Sequence, residues 1–337
     1  MRAYVIQPTF GLEHLTAVDR PDPGPVGLGQ VLVRVRAVSL NYRDLLVVRG
    51  QYNPRMPLPR VPCSDAVGEV VAVGPDVTTV QPGDRVCGTF AQAWEDNPLT
   101  EAAARSTLGG DLDGVLAEYV ALSEHGVVIV PEHLTDEEAA TLPCAAVTAW
   151  HAVASGFVAT DKTVLLQGTG GVSLFALQFA KKLGARVLIT SSRDDKLARA
   201  MDLGADAGVN YKTMPDWDKW ARGQTGGVGV DLVVEVGGAG TLDRSVKSVR
   251  HAGRIALIGV LAGGTGFNPL PLVMRGICLQ GILVGPRAMF LAMNLFIERH
   301  QLRPVVDKVF PFADATAAFR HLESGNHFGK IVISLAG

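Results

Sequence analysis

The run Val164-Leu165-Leu166-Gln167-Gly168-Thr169-Gly170-Gly171-Val172-Ser173 holds the residues whose types and spacing say most about chemistry. A short apolar stretch feeds into glycines at 168, 170 and 171, and a helix-like pattern opens at Val172. Strand, glycine turn and helix in that order build a cradle for a diphosphate. Gly168 permits the tight turn and Gly170 lets backbone approach a pyrophosphate; the helix N-terminus offers unpaired N–H groups and positive dipole. Ser173, at the third glycine position, is small enough for close helix–strand packing. Gly168, Thr169, Gly170, Gly171 and Val172 are therefore expected to bind a nicotinamide dinucleotide. The next strand ends Thr190-Ser191-Ser192-Arg193, with Ser191 where an acidic residue would hold a ribose diol. Arg193 and Lys196 follow, and a hydroxyl with two cations suits a 2′-phosphate, so the expected cofactor is NADPH. Asp194 and Asp195 oppose that field, and solvated charges at a helix start are the alternative for Arg193 and Lys196.

The elements that must position this turn fall into two patterns. Up to about residue 125, short strands such as Val31–Val38, Gly68–Gly74, Gly83–Gly88 and Leu116–Leu122 are closed by Gly, Pro and Asp turns, which suggests a barrel-like β domain. Thr135 with Glu138 then makes a capping box, and a helix is expected from Cys144 to Ser155. From Thr163 the strands Thr163–Leu166, Arg186–Thr190, Gly208–Asn210, Leu232–Val236, Arg254–Ile258 and Cys278–Val284 alternate with amphipathic helices. That alternation predicts a doubly wound parallel sheet. A helix over Met289–His300 and a strand over Lys330–Leu335 close the chain. The segment Ala91–Gly114 reads as too polar for core and too long for a turn, so it is either a lid or a surface excursion.

Composition narrows the class further. With 337 residues the chain is long for one core and comfortable for two domains. Lys+Arg 31 against Asp+Glu 33 leaves a net charge of −2, so no nucleic-acid partner is expected. The four cysteines, Cys63, Cys87, Cys144 and Cys278, form neither a disulfide framework nor a C-x-x-C pair. No signal sequence and no apolar run near the ~18 residues of a membrane helix is found. A cytoplasmic protein acting on a small molecule is expected.

Taken in order, Asn41-Tyr42-Arg43-Asp44, Gly50-Gln51-Tyr52, Gly83-Asp84-Arg85-Val86, Ala139–Cys144, Gly168–Ser173 and Gly329-Lys330-Ile331-Val332 make the whole chain resemble the medium-chain dehydrogenase/reductase superfamily. Within it the chain is most similar to the zinc-free quinone oxidoreductase and enone reductase branch. The resemblance implies a GroES-like β-barrel domain, 1–145 with 286–337, and a Rossmann domain, 146–285. It also implies that Asn41 and Ser64 stand where zinc enzymes carry Cys and His, leaving Cys144 of that set. A residual metal site from Cys63, Asp65 and Cys144 is the alternative, because Asp65 matches a glutamate beside zinc.

The implied activity is hydride transfer from NADPH to a quinone or α,β-unsaturated carbonyl. Asn41, at the vacated metal position, is expected to face the reacting carbonyl, and Tyr52 to line the acceptor pocket. Asp44 is read as an organiser of the loop Asn41–Tyr52 or a proton donor, and Tyr42 as a further pocket residue or packing. Around the cofactor, Lys196 and Tyr211 match residues at the adenosine phosphate. Thr148, four residues after Cys144, is expected at the nicotinamide or ribose. Backbone at Val260 and Val284 is expected to anchor the carboxamide, with Asn326 and His327 approaching from the C-terminal return. His151 is ranked below Tyr52 as an acid. The apolar strand from Cys278 suggests pairing into a homodimer. The competing functions are a metal-using alcohol dehydrogenase or carbonyl reductase and a non-catalytic NADPH-binding protein.

Overall fold

The computed structural model describes residues 1–96, 98–259 and 267–335. Contacts divide the chain into two compact units, Met1–Val147 with Gly285–Gly337, and Thr148–Val284.

The first unit opens with an antiparallel pair, β1 (Arg2–Ile6) and β2 (Leu15–Asp19). Its organiser is β3 (Gln30–Leu40), in which Val31, Val33 and Val35 are buried while Gln30 and Arg34 are exposed. That period of two is what an apolar–basic alternation produces in a strand with one wet face. Next come α1 (Tyr42–Val48), β4 (Asp65–Val73), β5 (Arg85–Gly88), α2 (Glu101–Ala104), β6 (Tyr119–Ser123), β7 (Val127–Ile129) and α3 (Asp136–Ala139). The Thr135 cap of α3 is formed: its Oγ1 accepts from Glu138 N at 3.2 Å, and Glu138 Oε2 accepts from Thr135 N at 2.9 Å.

In the second unit α4 (Val147–Ser155, its first residue in the other unit) leads into β8 (Thr163–Gln167), α5 (Gly171–Lys182), β9 (Arg186–Ser191), α6 (Asp194–Asp202), β10 (Ala207–Asn210) and α7 (Trp217–Gly223). There follow β11 (Val230–Glu235), α8 (Leu242–Ser248), β12 (Val249–Leu257), α9 (Leu270–Arg275) and β13 (Cys278–Gly281). The six strands are parallel in the order β10-β9-β8-β11-β12-β13. Val164, Leu165, Leu166, Leu188, Ile189, Val233 and Val234 are fully buried, as strands covered on both faces must be. The order reverses between β8 and β11, the switch point where open α/β sheets bind ligands.

The chain then completes the first unit with α10 (Arg287–His300), β14 (Val306–Pro311), α11 (Ala315–Glu323) and β15 (Lys330–Ser334). The larger sheet there runs β14-β15-β3-β4-β5-β7, with β6 on β3. Among the described residues no helix is long and apolar enough to cross a membrane.

Four sequence expectations change. The stretch Asn41–Tyr52 is not simply a loop: it contains α1, which buries Asp44, Leu45, Val47 and Val48 and whose short valine-bearing sequence gives little helical signal. The helix expected from Cys144 is a π-helical turn, Leu142–Ala146, before α4. β13 stops at Gly281, so Val284 lies beyond the strand in the left-handed region at φ 43°. Finally, Ala91–Gly114 is no polar flap, because Trp94, Ala103 and Leu108 are buried, and Arg43 Nη1 donates to Leu108 O at 2.6 Å.

Candidate active site

Strand register assembles the first cluster. β4 and β15 both run antiparallel to β3, pairing Ser39 with Asp65 and Leu40 with Ile331. The end of β3 and the starts of its two neighbours therefore converge, which brings Asn41, Asp65 and Lys330 together from distant parts of the chain. Lys330 is only 4% exposed, and its Nζ donates to Leu40 O at 2.6 Å and to Asn41 Oδ1. Asp65 is fully buried, accepting from Ser64 Oγ at 2.6 Å on Oδ1 and from Cys144 N at 3.0 Å on Oδ2. Asn41 N donates to Asp44 Oδ2 at 2.8 Å, and Arg43 Nη1 lies 3.7 Å from Asp44 Oδ1. Asn41 Nδ2 and Asp44 Oδ1 are buried with no hydrogen-bond partner.

Burial dominates the electrostatics. It raises Asp44 to about 6, with Asp65 adding to the rise and Arg43, the Asn41 N–H and Lys330 opposing it. Burial also raises Asp65, against Lys330, the Ser64 hydroxyl, the Asn41 amide and the Cys144 N–H. The Cys144 and Cys63 thiols are pushed far up, first by burial and then by the nearby carboxylates, so both stay protonated near neutral pH.

Beside this cluster the Arg43 guanidinium stacks between two rings, 4.9 Å from Tyr52 and 5.0 Å from Phe90. Tyr52 and Tyr42 are both partly open to solvent. Asn326 is exposed, and His327 stands against His321, whose Nε2 binds Asp307 Oδ2 at 2.8 Å.

In the second unit Gly168 has φ 71°, a conformation that favours glycine, and Gly170 caps α5 in an extended conformation. Ser173 Oγ donates to Gln167 O at 2.6 Å and locks the helix start to the strand end. Gln167 Nε2 reaches Glu235 Oε2 and Ser245 Oγ, both at 2.7 Å. Glu235 is fully buried and also accepts from Gly237 N at 2.8 Å, Gly238 N at 2.9 Å, Thr241 Oγ1 at 2.6 Å and Ser245 Oγ. Sequence reasoning missed this network; its one signal is an acid, Glu235, directly after the apolar run Leu232–Val234.

At the end of β9, Ser191 and Lys196 are buried, and Ser191 O accepts from Tyr211 N at 3.0 Å while the Tyr211 ring is half-exposed. Arg193 binds Asp195 in a fork, Nε–Oδ1 2.9 Å and Nη2–Oδ2 2.8 Å. Thr148 is buried in α4, and His151 Nδ1 donates to Val284 O at 2.7 Å, which makes His151 a packed residue. Thr169 is buried, Gly171 and Val172 form the first turn of α5, and Val260 lies outside the described residues. Among the described residues no group of three or more His, Cys, Asp or Glu side chains is placed to hold a metal ion.

A six-stranded parallel sheet with a glycine turn at its switch point, joined in one chain to a β domain, defines a two-domain dinucleotide-dependent oxidoreductase. The family described as zinc-binding dehydrogenase matches residues 171–299, and the alcohol dehydrogenase GroES-like domain matches residues 27–132. A zinc-type alcohol dehydrogenase-like protein of Schizosaccharomyces pombe is 41% identical over 343 residues, 99% of each chain. The solved structure of an NAD-dependent alcohol dehydrogenase superposes with a TM-score of 0.91 at 36% identity, covering 100% of both chains. A 2-methylene-furan-3-one reductase of Solanum lycopersicum is 30% identical over 314 residues, 90% of this chain and 71% of that protein. The chain belongs to the medium-chain dehydrogenase/reductase superfamily, whose members are nicotinamide-dependent oxidoreductases.

Proposed function

We propose that the protein reduces quinones or α,β-unsaturated carbonyls with NADPH and without a catalytic zinc. The observation that carries this reading is the commitment of Asn41 and Ser64, at two of the family's metal-ligand positions, to partners within the protein. Asn41 Oδ1 accepts from an ammonium, and the Ser64 hydroxyl donates to Asp65. Zinc needs about four free N, S or O donors, with cysteine as thiolate, and a buried ammonium in contact with one of them repels a dication. The donor set does not fit zinc. The alternative set of Cys63, Asp65 and Cys144 fares no better, since both Asp65 oxygens are engaged and, among the described residues, no three such side chains are placed around a common point.

The second unit fits a dinucleotide. A Cβ added at Gly170 would meet no protein atom within 4 Å, so the glycine is not demanded by the protein's own packing. Gly168, Thr169, Gly170, Gly171 and Val172 would hold the diphosphate. Ser191, Arg193, Lys196 and Tyr211 would hold the 2′-phosphate, with Thr148 and Val284 toward the nicotinamide end. Reduced nicotinamide supplies the hydride when bound. On the protein side, Asn41 binds the acceptor oxygen, Asp44 holds the Asn41 backbone, and Tyr52 or solvent returns the proton. A conjugated acceptor spreads its negative charge, so neutral donors suffice where a localised alkoxide would need a metal. The same reading takes the chain as a cytoplasmic homodimer paired along β13.

The test is product identification after NADPH oxidation with 2-cyclohexenone. Cyclohexanone supports the reading. The allylic alcohol, or stoichiometric zinc in active protein, would replace it with reduction at the carbonyl, the reverse of alcohol dehydrogenation.

A further inference from the structure

We propose that Lys330 is a positioning residue that fixes the Asn41 amide as a hydrogen-bond donor toward the carbonyl oxygen of the acceptor. The inference rests on the reading above in one respect, that Asn41 faces the acceptor. Lys330 opens β15 directly beside the end of β3, so its side chain enters the cluster from within the sheet. Its ammonium has donors only, and Leu40 O and Asn41 Oδ1 receive them. An amide facing an ammonium presents its oxygen, because the flipped arrangement would set N–H against N–H. With Oδ1 held in this way, Nδ2 is the group left to act.

That Nδ2 is buried and has no hydrogen-bond partner. The Asn41 amide favours the Asp65 carboxylate's charge as a weak hydrogen-bond donor would, but Nδ2 makes no contact of full hydrogen-bond geometry. The Asp65 oxygens already accept from Ser64 Oγ at 2.6 Å and Cys144 N at 3.0 Å. Asp44 Oδ1 and Arg43 Nε of the same cluster are also unpaired, but these two residues form an ion pair through Arg43 Nη1, 3.7 Å from Asp44 Oδ1, whereas Asn41 Nδ2 is a neutral donor that a ligand acceptor can satisfy. The Lys330 charge also draws electron density from the amide, which strengthens the N–H as a donor to an oxygen gaining negative charge. The site thus selects substrates that offer a lone pair on oxygen at the reacting end, carbonyl or quinone.

Three variants test this: Lys330→Met, Lys330→Arg and Asn41→Asp. The readouts are kcat and KM for NADPH-dependent reduction of 2-cyclohexenone, the Kd of NADPH by fluorescence, and the Kd of cyclohexanone on the NADP⁺ complex by saturation-transfer NMR. Lys330→Met is expected to lower kcat/KM about 10- to 100-fold, the range of a charge-assisted hydrogen bond, with the NADPH Kd within about twofold. Lys330→Arg keeps a cation on Oδ1 and should recover part of the loss. Asn41→Asp keeps a partner for Lys330, and therefore the fold, but removes the donor, so cyclohexanone binding should vanish. Wild-type cyclohexanone affinity in Asn41→Asp, or wild-type kcat/KM and affinity in Lys330→Met, overturns the proposal. Should Lys330→Met not fold, Asn41→Asp and Lys330→Arg decide. If the wild-type enzyme fails to give the saturated ketone, the proposed function falls, while cyclohexanone binding across the three variants still reads the role of Lys330.

Discussion

Asp44→Asn should make the protein more stable at pH 8, although it replaces a buried charged residue in the candidate site. In the folded chain burial raises this carboxyl to about 6, against ~3.9 for an unfolded aspartate. The folded state therefore holds the proton more tightly than the unfolded state. Stability contributed by the group falls as pH rises from ~4 to ~6 and is level above that. A gap of about two units is worth about 3 kcal/mol, the cost of ionising Asp44 in place at pH 8. Asparagine never ionises, and its Oδ1 can still accept from Asn41 N. Against this, its amide would face Arg43 where Asp44 Oδ1 lies 3.7 Å from Nη1, a loss of about 1 kcal/mol. The net gain is about 2 kcal/mol at pH 8. For a unit of roughly 200 residues this is a rise of about 5 °C in Tm, measured by calorimetry on the dinucleotide-free protein. At pH 5 about half of the ionisation cost has gone and the gain should fall below about 1 kcal/mol. A variant that melts below wild type at pH 8, or a shift independent of pH, would refute the reasoning. Activity gives a second check, because a residue that only holds the Asn41 backbone should lose less than about tenfold in kcat. Abolished turnover in well-folded Asp44→Asn would mean that Asp44 is itself the proton donor.

Glu235→Gln puts an amide among the N–H and O–H donors of Gly237, Gly238, Thr241, Ser245 and Gln167, and should cost about 3 kcal/mol in urea unfolding while weakening NADPH binding; unchanged values of both would show the network to be dispensable. Gly170→Val should abolish NADPH binding in fluorescence titration with little change in Tm, since the added carbons meet no protein atom at Cβ. Binding at wild-type strength would remove the turn from the cofactor site. Lys196→Ala should raise the KM for NADPH more than about tenfold and leave that for NADH nearly unchanged. An equal effect on both would mean that Lys196 does not read the 2′-phosphate.

The two halves of the candidate machinery were unequally legible for a physical reason. The phosphate turn is contiguous: the glycines, the strand before them and the helix after them sit within about a dozen residues, so their spacing alone carries the chemistry. The polar cluster is spread over residues 41–44, 63–65, 144 and 330, and only the pairing of β4 and β15 with β3 joins it. Resemblance led to Asn41 and Asp44, but Lys330 was read only as part of a Gly-Lys-Ile-Val strand start. Nothing near it in sequence says that its ammonium is buried. Helix α1 was hidden because seven residues ending in valines give little periodicity, and its start depends on the Asp44 carboxylate accepting from Asn41 N.

The hidden lysine changes what the visible substitutions mean. On the proposed reading, Asn41 and Ser64 taken alone describe a metal site without its ligands. With Lys330 in place, the same residues form a cluster whose two carboxylates, Asp44 and Asp65, are balanced by Arg43 and Lys330 without a dication. Restoring cysteine at 41 would then set a thiol against the Lys330 ammonium, where a thiolate would be stabilised by the ion pair before any metal arrived. On the proposed reading, asparagine at 41 and lysine at 330 therefore work as one unit: the lysine supplies the fixed positive charge, and the amide conveys it to the substrate as a directed N–H.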